Sequence, residues 1–174
     1  MSVNQKNHLA YWISFGLLLS FIVSLIGSFF PYEGKVQTIL FKLDGLFAVT
    51  AFACFAAKAS SEKADLPAAG FTILAISEGL FLSTIEESAN PGDEILITAV
   101  LFMIPSFLLI SYYKLFPRWL HIAGILSTVP FVTLVIIYYS NGFLPGPILK
   151  YTVYLTYQLI LLCWAWHVWK DRNK

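Results

Sequence analysis

The sequence has few charged residues, and this shortage argues against a water-soluble protein. Only 12% of its 174 residues are Asp, Glu, Lys or Arg, whereas 58% are hydrophobic. Soluble domains carry about 25% charged residues, because a surface in contact with water has to be largely polar. The apolar runs of this chain therefore cannot all be buried in one soluble core, and they predict an integral membrane protein.

Motifs that would identify an enzyme or a nucleic-acid-binding protein are also missing. Gly-x-Ser-x-Gly, His-Glu-x-x-His, the phosphate-binding loop and Gly-x-Gly-x-x-Gly do not occur. The formal net charge is +1 and the basic residues are dispersed, so nothing indicates binding to nucleic acid. The two cysteines lie in separate apolar runs, and the three histidines lie near the ends of predicted helices. We therefore expect neither a disulfide nor a metal or haem cofactor.

Six apolar segments are each long enough to cross a bilayer as a helix. A hydrocarbon core about 30 Å thick requires about 20 helical residues. Short breaks with turn-forming residues separate the segments, which cover residues 9–30, 36–58, 66–86, 94–114, 118–139 and 147–169. The sequence predicts an all-α fold, a polytopic bundle of six transmembrane helices that forms a single transmembrane domain over residues 1–174. Short connections favour antiparallel packing of helices that are neighbours in sequence.

The distribution of basic residues predicts the orientation of the bundle. The side of the membrane that holds both termini would carry eight lysines and arginines, and the other side only Lys35 and Lys150. Cytoplasmic loops are enriched in basic residues, so we expect both termini in the cytoplasm. Tryptophan is typical of membrane interfaces, and its positions support the same orientation. All five tryptophans are predicted at cytoplasmic helix ends: Trp12, Trp119, Trp164, Trp166 and Trp169. The expected location is the cytoplasmic membrane of a bacterium.

Ionisable side chains inside the predicted spans are the first candidates for a functional site. Lys42, Asp44 and Glu78 lie about 9–12 Å from the non-cytoplasmic helix ends, at a rise of 1.5 Å per residue. A charge at the centre of a spanning helix costs about 2.5–3.5 kcal/mol, so each group must pair, bind a proton or face water. Lys42 and Asp44 are two residues apart and cannot share one helix face. Glu86 lies on the same stripe of its helix as Glu78, closer to the surface.

Polar residues of the sixth predicted helix lie at a similar depth. Tyr154 and Gln158 are four residues apart, so they share one helix face, and their depth matches that of Asp44. We interpret the whole group as a polar cavity open to the non-cytoplasmic side. Its predicted binding or ion-pathway residues are Lys42, Asp44, Glu78, Glu86, Tyr154 and Gln158. The alternative interpretation is a buried ion pair that holds the second and third helices together.

These residues favour a small membrane transporter, channel or solute-binding membrane subunit with a proton- or cation-linked site. A carboxyl group partly removed from water in a helix bundle can exchange a proton or bind a cation. Two alternatives stay open, namely an integral membrane enzyme that acts on a lipid or isoprenoid and a structural subunit that assembles a membrane complex. The expected partners are the lipid bilayer, a small solute or ion, and a second copy of the chain or another membrane subunit. A stripe of small residues suits such helix contacts: Gly16, Ser20, Ser24 and Ser28.

Overall fold

All regular secondary structure in the described part of the chain is α-helical, as the sequence predicts. The computed structural model describes residues 3–30, 34–84, 93–114, 116–143 and 147–171. Its six helices are α1 (Val3–Gly27), α2 (Lys35–Ser61), α3 (Asp65–Thr84), α4 (Asp93–Ile110), α5 (Arg118–Asn141) and α6 (Pro147–Asp171). These positions agree with the six predicted apolar segments. The main differences are that α1 begins at Val3 rather than residue 9, and that α4 ends at Ile110 rather than residue 114.

Four of the helices are long and apolar enough to cross a membrane, as judged by length and composition. They are α1 from His8 onward, α2, α3 as far as Ser83, and α5. The apolar stretch of α4 within the described residues, Glu94–Ile110, is shorter than a full span. An apolar bundle with several such helices fits a multi-pass membrane protein.

The six helices form a closed ring in sequence order. Each helix packs against its neighbours in sequence, and α6 packs against α1. Neighbours run antiparallel, as α1 and α2 illustrate, because Gly16 lies against Ala51 while Gly27 lies against Phe41. Among the described residues, helices on opposite sides of the ring have no Cα atoms within 8 Å of each other. Side chains rather than backbone therefore meet in the middle of the ring.

Small residues allow α1 and α2 to approach each other closely. A Cβ atom added at Gly16 would lie 3.0 Å from the Ala51 Cβ and 3.3 Å from the Phe47 carbonyl oxygen. Ser20 and Ser24 continue the same stripe of α1, and both are buried. The predicted small-residue stripe therefore packs inside the bundle, where short side chains permit the contact.

The two ends of the ring differ in what fills them. The cavity end is the end at which α1, α3 and α5 finish and α2, α4 and α6 begin. The plug end is the opposite end, where α2 and α4 finish and α3 and α5 begin. Aromatic side chains occupy the middle of the ring at the plug end. We call this group the aromatic plug, and it consists of Phe55, Phe71, Phe107, Phe116 and Trp164.

Trp164 lies at the centre of the aromatic plug and is only 1% exposed. Its ring centroid is 5.4 Å from that of Phe107, 5.5 Å from that of Phe71 and 6.3 Å from that of Phe55. Phe55 and Phe71 stack on each other at 4.1 Å, and Phe116 stacks on Trp164 at 6.0 Å. Edge-to-face and stacked rings of this kind stabilise a core beyond the area they bury. The plug thus joins α2, α3, α4 and α6 to one another.

The burial of Trp164 corrects one expectation from the sequence. The other four tryptophans are exposed, as interfacial residues would be: Trp12, Trp119, Trp166 and Trp169. Trp164 and Trp166 are two residues apart on one helix, so their side chains point in nearly opposite directions. Trp164 faces the middle of the ring and has a packing role rather than a role at the membrane interface.

Candidate functional site

A cavity of about 360 Å³ lies inside the ring in the half nearest the cavity end. This volume falls within the range of about 300–1,000 Å³ that is typical of small-molecule sites. Helices α2 to α6 all contribute to the wall, as one residue from each illustrates: Asp44, Glu78, Val100, Phe131 and Tyr157. Ser28, the residue that follows the end of α1, completes it. Most of the wall is apolar, and its polar groups come from Ser28, α2, α3 and α6.

Asp44 is held toward the cavity by a serine of α1. The Ser20 hydroxyl donates a hydrogen bond of 2.5 Å to Asp44 Oδ1. Ser24, also on α1, accepts a hydrogen bond from Gln158 Nε2 of α6. The two serines are four residues apart and so lie on one face of α1. The next residue, Gly45, allows α3 to approach, because a Cβ there would lie 2.6 Å from Leu82 Cδ2. The close packing of three helices thus fixes the position of this carboxyl group.

Glu78 is the second carboxyl group of the wall, and it is only 6% exposed. The Tyr157 hydroxyl of α6 donates a hydrogen bond of 2.5 Å to Glu78 Oε1. The adjacent Ser77 hydroxyl donates to the Ala99 carbonyl oxygen at 2.8 Å, which ties this part of α3 to α4. A buried polar group without a partner costs about 1–3 kcal/mol, so the Tyr157 hydroxyl stabilises Glu78 in this position.

Gln158 has a buried side-chain oxygen to which no described residue donates a hydrogen bond. The side chain is 3% exposed, and its Nε2 donates to Ser24 Oγ at 3.3 Å. Gln158 Oε1, however, has no hydrogen-bond partner among the described residues. Buried polar atoms are nearly always hydrogen-bonded, so an oxygen without a donor in a residue of the cavity wall is unusual.

The structure brings four of the six predicted site residues together on the cavity wall, namely Asp44, Glu78, Tyr154 and Gln158. Lys42 does not line the cavity in the described part of the chain, and its side chain is partly buried elsewhere on α2. The separation of Lys42 from Asp44 follows from their spacing of two residues. Glu86 lies outside the described residues. A binding or ion-pathway role for each of the six residues stays a prediction.

Three residues of the site are absent from the sequence prediction. Tyr157 binds Glu78, Ser20 binds Asp44, and Ser24 accepts a hydrogen bond from Gln158. Tyr157 follows Tyr154 by three residues, and this helical spacing could have indicated a shared face. The two serines were recognised only as small packing residues, because a serine in a close helix contact has no separate sequence signal for a hydrogen-bonding role.

Two side-chain contacts between a basic and an acidic residue lie away from the cavity in the described part of the chain. Lys58 pairs with Glu62 near the end of α2, and Glu62 also accepts a hydrogen bond from the Tyr113 hydroxyl. His167 lies 2.9 Å from Asp171 at the end of α6. Both pairs belong to the plug end. Across the described ranges, no group of three or more His, Cys, Asp or Glu residues is placed to hold a metal ion.

No protein-family model, curated protein or solved structure matches the chain. The arguments for its function therefore start from the geometry of the cavity and from the chemistry of the residues in its wall.

Proposed function

We propose that this protein binds a small organic solute in the cavity, as a membrane transporter or as the solute-binding subunit of a transport complex. The observation that carries the proposal is the cavity itself, a space of about 360 Å³ with walls from α2 to α6 and from Ser28, which follows α1. Its apolar wall contains a few convergent polar groups, which is the usual composition of a small-molecule site. Ionisable residues within membrane bundles commonly line solute or ion pathways. Asp44 and Glu78 are such residues in this bundle.

The aromatic plug supports a site that solutes reach from one end. Phe107 of the plug packs against two residues of the cavity wall, with ring centroids 5.4 Å from Phe131 and 6.3 Å from Tyr157. The same ring contacts Trp164 at the centre of the plug. The plug therefore forms the base of the cavity, and a solute would enter from the cavity end. Transport to the other side would require these aromatic rings to move apart.

The proposal includes an orientation in the membrane. All six helices would span the bilayer, with both termini in the cytoplasm because the basic residues are concentrated on that side. The cavity end would then face the non-cytoplasmic side. Asp44 and Glu78 would form a proton- or cation-linked site in the outer half of the bundle.

Cysteine accessibility tests both the site and its orientation. In a protein with Cys54 and Cys163 replaced by alanine, Leu96→Cys places a thiol on the cavity wall. The matched control is Leu74→Cys, because Leu74 is a fully buried residue of α3 that does not line the cavity. We expect a membrane-impermeant thiosulfonate reagent to label Leu96→Cys from the non-cytoplasmic side and to leave Leu74→Cys unlabelled.

Two results of this experiment would contradict the proposal. If folded Leu96→Cys is not labelled from either side of the membrane, the cavity is closed to solutes. If it is labelled only from the cytoplasmic side, the proposed orientation is wrong. Circular dichroism of each purified variant confirms that the labelled protein is folded.

A further inference from the structure

We infer that the solute is an organic cation, a small apolar molecule that carries an ammonium group. The inference rests on the proposed function and specifies the charge class of the solute that the cavity takes. Three properties of the wall support it: the charge of its ionisable groups, its unused hydrogen-bonding capacity and its aromatic content.

The ionisable groups of the wall are acidic, apart from the two tyrosine hydroxyls. Asp44 and Glu78 both line the cavity, and no lysine, arginine or histidine of the described residues does. Carboxylates removed from water need a compensating positive charge nearby. An anionic solute would meet two acidic side chains in the same space, whereas an ammonium ion would supply a positive charge to both.

The hydrogen-bonding capacity that remains in the wall is largely that of acceptors. The Ser20 and Tyr157 hydroxyl groups donate to the two carboxyl groups, and Gln158 Nε2 donates to Ser24. Gln158 Oε1 is left without a partner, and each carboxylate has about four acceptor positions of which these contacts use only part. An ammonium group is a donor with no acceptor, so it complements these oxygens.

Aromatic rings form much of the remaining wall. Five of the lining residues are aromatic: Phe41, Phe81, Phe131, Tyr154 and Tyr157. The face of an aromatic ring attracts a cation within about 6 Å of its centroid, and aromatic cages with this property bind organic ammonium ions. Hard inorganic cations such as Mg²⁺ and Ca²⁺ instead need six or more oxygen ligands around them. A wall that combines two carboxyl groups with aromatic rings therefore fits an amphiphilic organic cation.

A set of three probes of similar size and different charge tests this inference. The probes are 2-phenylethylammonium, the uncharged 2-phenylethanol and the anionic 3-phenylpropionate, and isothermal titration calorimetry on the full chain in detergent measures their binding. We expect the ammonium probe to bind about tenfold or more tightly than the alcohol, because of the charged hydrogen bonds and the ring faces. The anion should not bind measurably.

Variants of the two carboxyl groups show whether they cause the preference. Asp44→Asn and Glu78→Gln should each lower the affinity for the ammonium probe about tenfold and leave the affinity for the alcohol nearly unchanged. The matched control is Asp65→Asn, because Asp65 is an exposed acid in the first turn of α3 and does not line the cavity. Its affinity for the ammonium probe should equal that of the wild type.

The outcomes separate this inference from the proposed function. If the alcohol binds as tightly as the ammonium probe in the wild type, or if the wild type does not bind the ammonium probe, the assignment of a cation is wrong. In either case, the labelling of Leu96→Cys still decides whether the cavity admits solutes. Leu134→Trp, which places a bulky ring on the cavity wall, should weaken binding of the ammonium probe. Unchanged binding in that variant would place the probe elsewhere and would also overturn the inference.

Discussion

Two glycines of α3 provide a sharp test of the packing of α3 against α4. Gly70 is buried against α4, where an added Cβ would lie 2.9 Å from Ile110 Cγ1, 2.9 Å from the Ser106 carbonyl oxygen and 3.0 Å from the Leu109 Cβ. Gly79 lies further along the same helix, and a Cβ there would meet no heavy atom within 4 Å. The two positions thus differ in the space available and share the same secondary structure.

The expected effects of alanine at these positions have opposite signs. Replacing a glycine inside a helix by alanine stabilises the helix by about 0.5–1 kcal/mol, and both variants share this gain. Only Gly70→Ala adds an overpacked contact, which costs about 1–3 kcal/mol because the Ser106 carbonyl belongs to the backbone and cannot rotate away. Gly79→Ala should therefore raise the free energy of unfolding slightly, and Gly70→Ala should lie about 1–3 kcal/mol below it.

Unfolding in mixed micelles of a mild detergent and sodium dodecyl sulfate measures this difference. Far-ultraviolet circular dichroism follows the loss of helix, and linear extrapolation to zero denaturing detergent gives the free energy of unfolding. The shared gain in helix propensity cancels when the two variants are compared, so the difference reports the α3–α4 contact alone. Equal free energies of unfolding for Gly70→Ala and Gly79→Ala would refute the close approach of these two helices.

Two further predictions concern the site and the plug. Tyr157→Phe should lower the free energy of unfolding by about 1–3 kcal/mol, because Glu78 loses its hydrogen-bond donor. In a double-mutant cycle with Glu78→Gln the two effects should not add, and additive losses would show that the pair does not interact. Trp164→Ala should cost about 3–5 kcal/mol in the same unfolding assay. Trp166→Ala, at an exposed position of the same helix, should change the free energy of unfolding by about 0.5 kcal/mol or less. Similar losses in the two variants would contradict the packing role of Trp164 in the aromatic plug.

The helices of this protein can be predicted from sequence because length and hydropathy determine them. Length and hydropathy do not predict which side of each helix faces the middle of the ring. Lipid tails are as apolar as a protein core, so the outer face of a membrane helix has no polar signature. Trp164 and Trp166 illustrate the problem, since one is buried and the other exposed although both are the same residue on the same helix.

The two carboxyl groups of the site can also be predicted from the sequence. Asp44 and Glu78 are conspicuous in the sequence because a carboxyl group in an apolar helix is costly and therefore rare. Ser20 and Tyr157 carry no charge, and serine and tyrosine are frequent in this chain, so neither residue indicates its partner. Their roles depend on contacts between helices that are distant in sequence, and these contacts become visible only in the folded ring.

The closure of the ring by α6 has a consequence for the biogenesis of the protein. The chain is synthesised from its N-terminus, so α1 and α2 emerge first and already contain both Asp44 and Ser20. This carboxyl group can therefore gain its hydrogen bond within the first helical hairpin. Glu78 emerges with α3, but its donor Tyr157 belongs to the last helix. Until α6 has been synthesised, Glu78 therefore lacks the hydrogen-bond donor that Tyr157 provides in the folded ring.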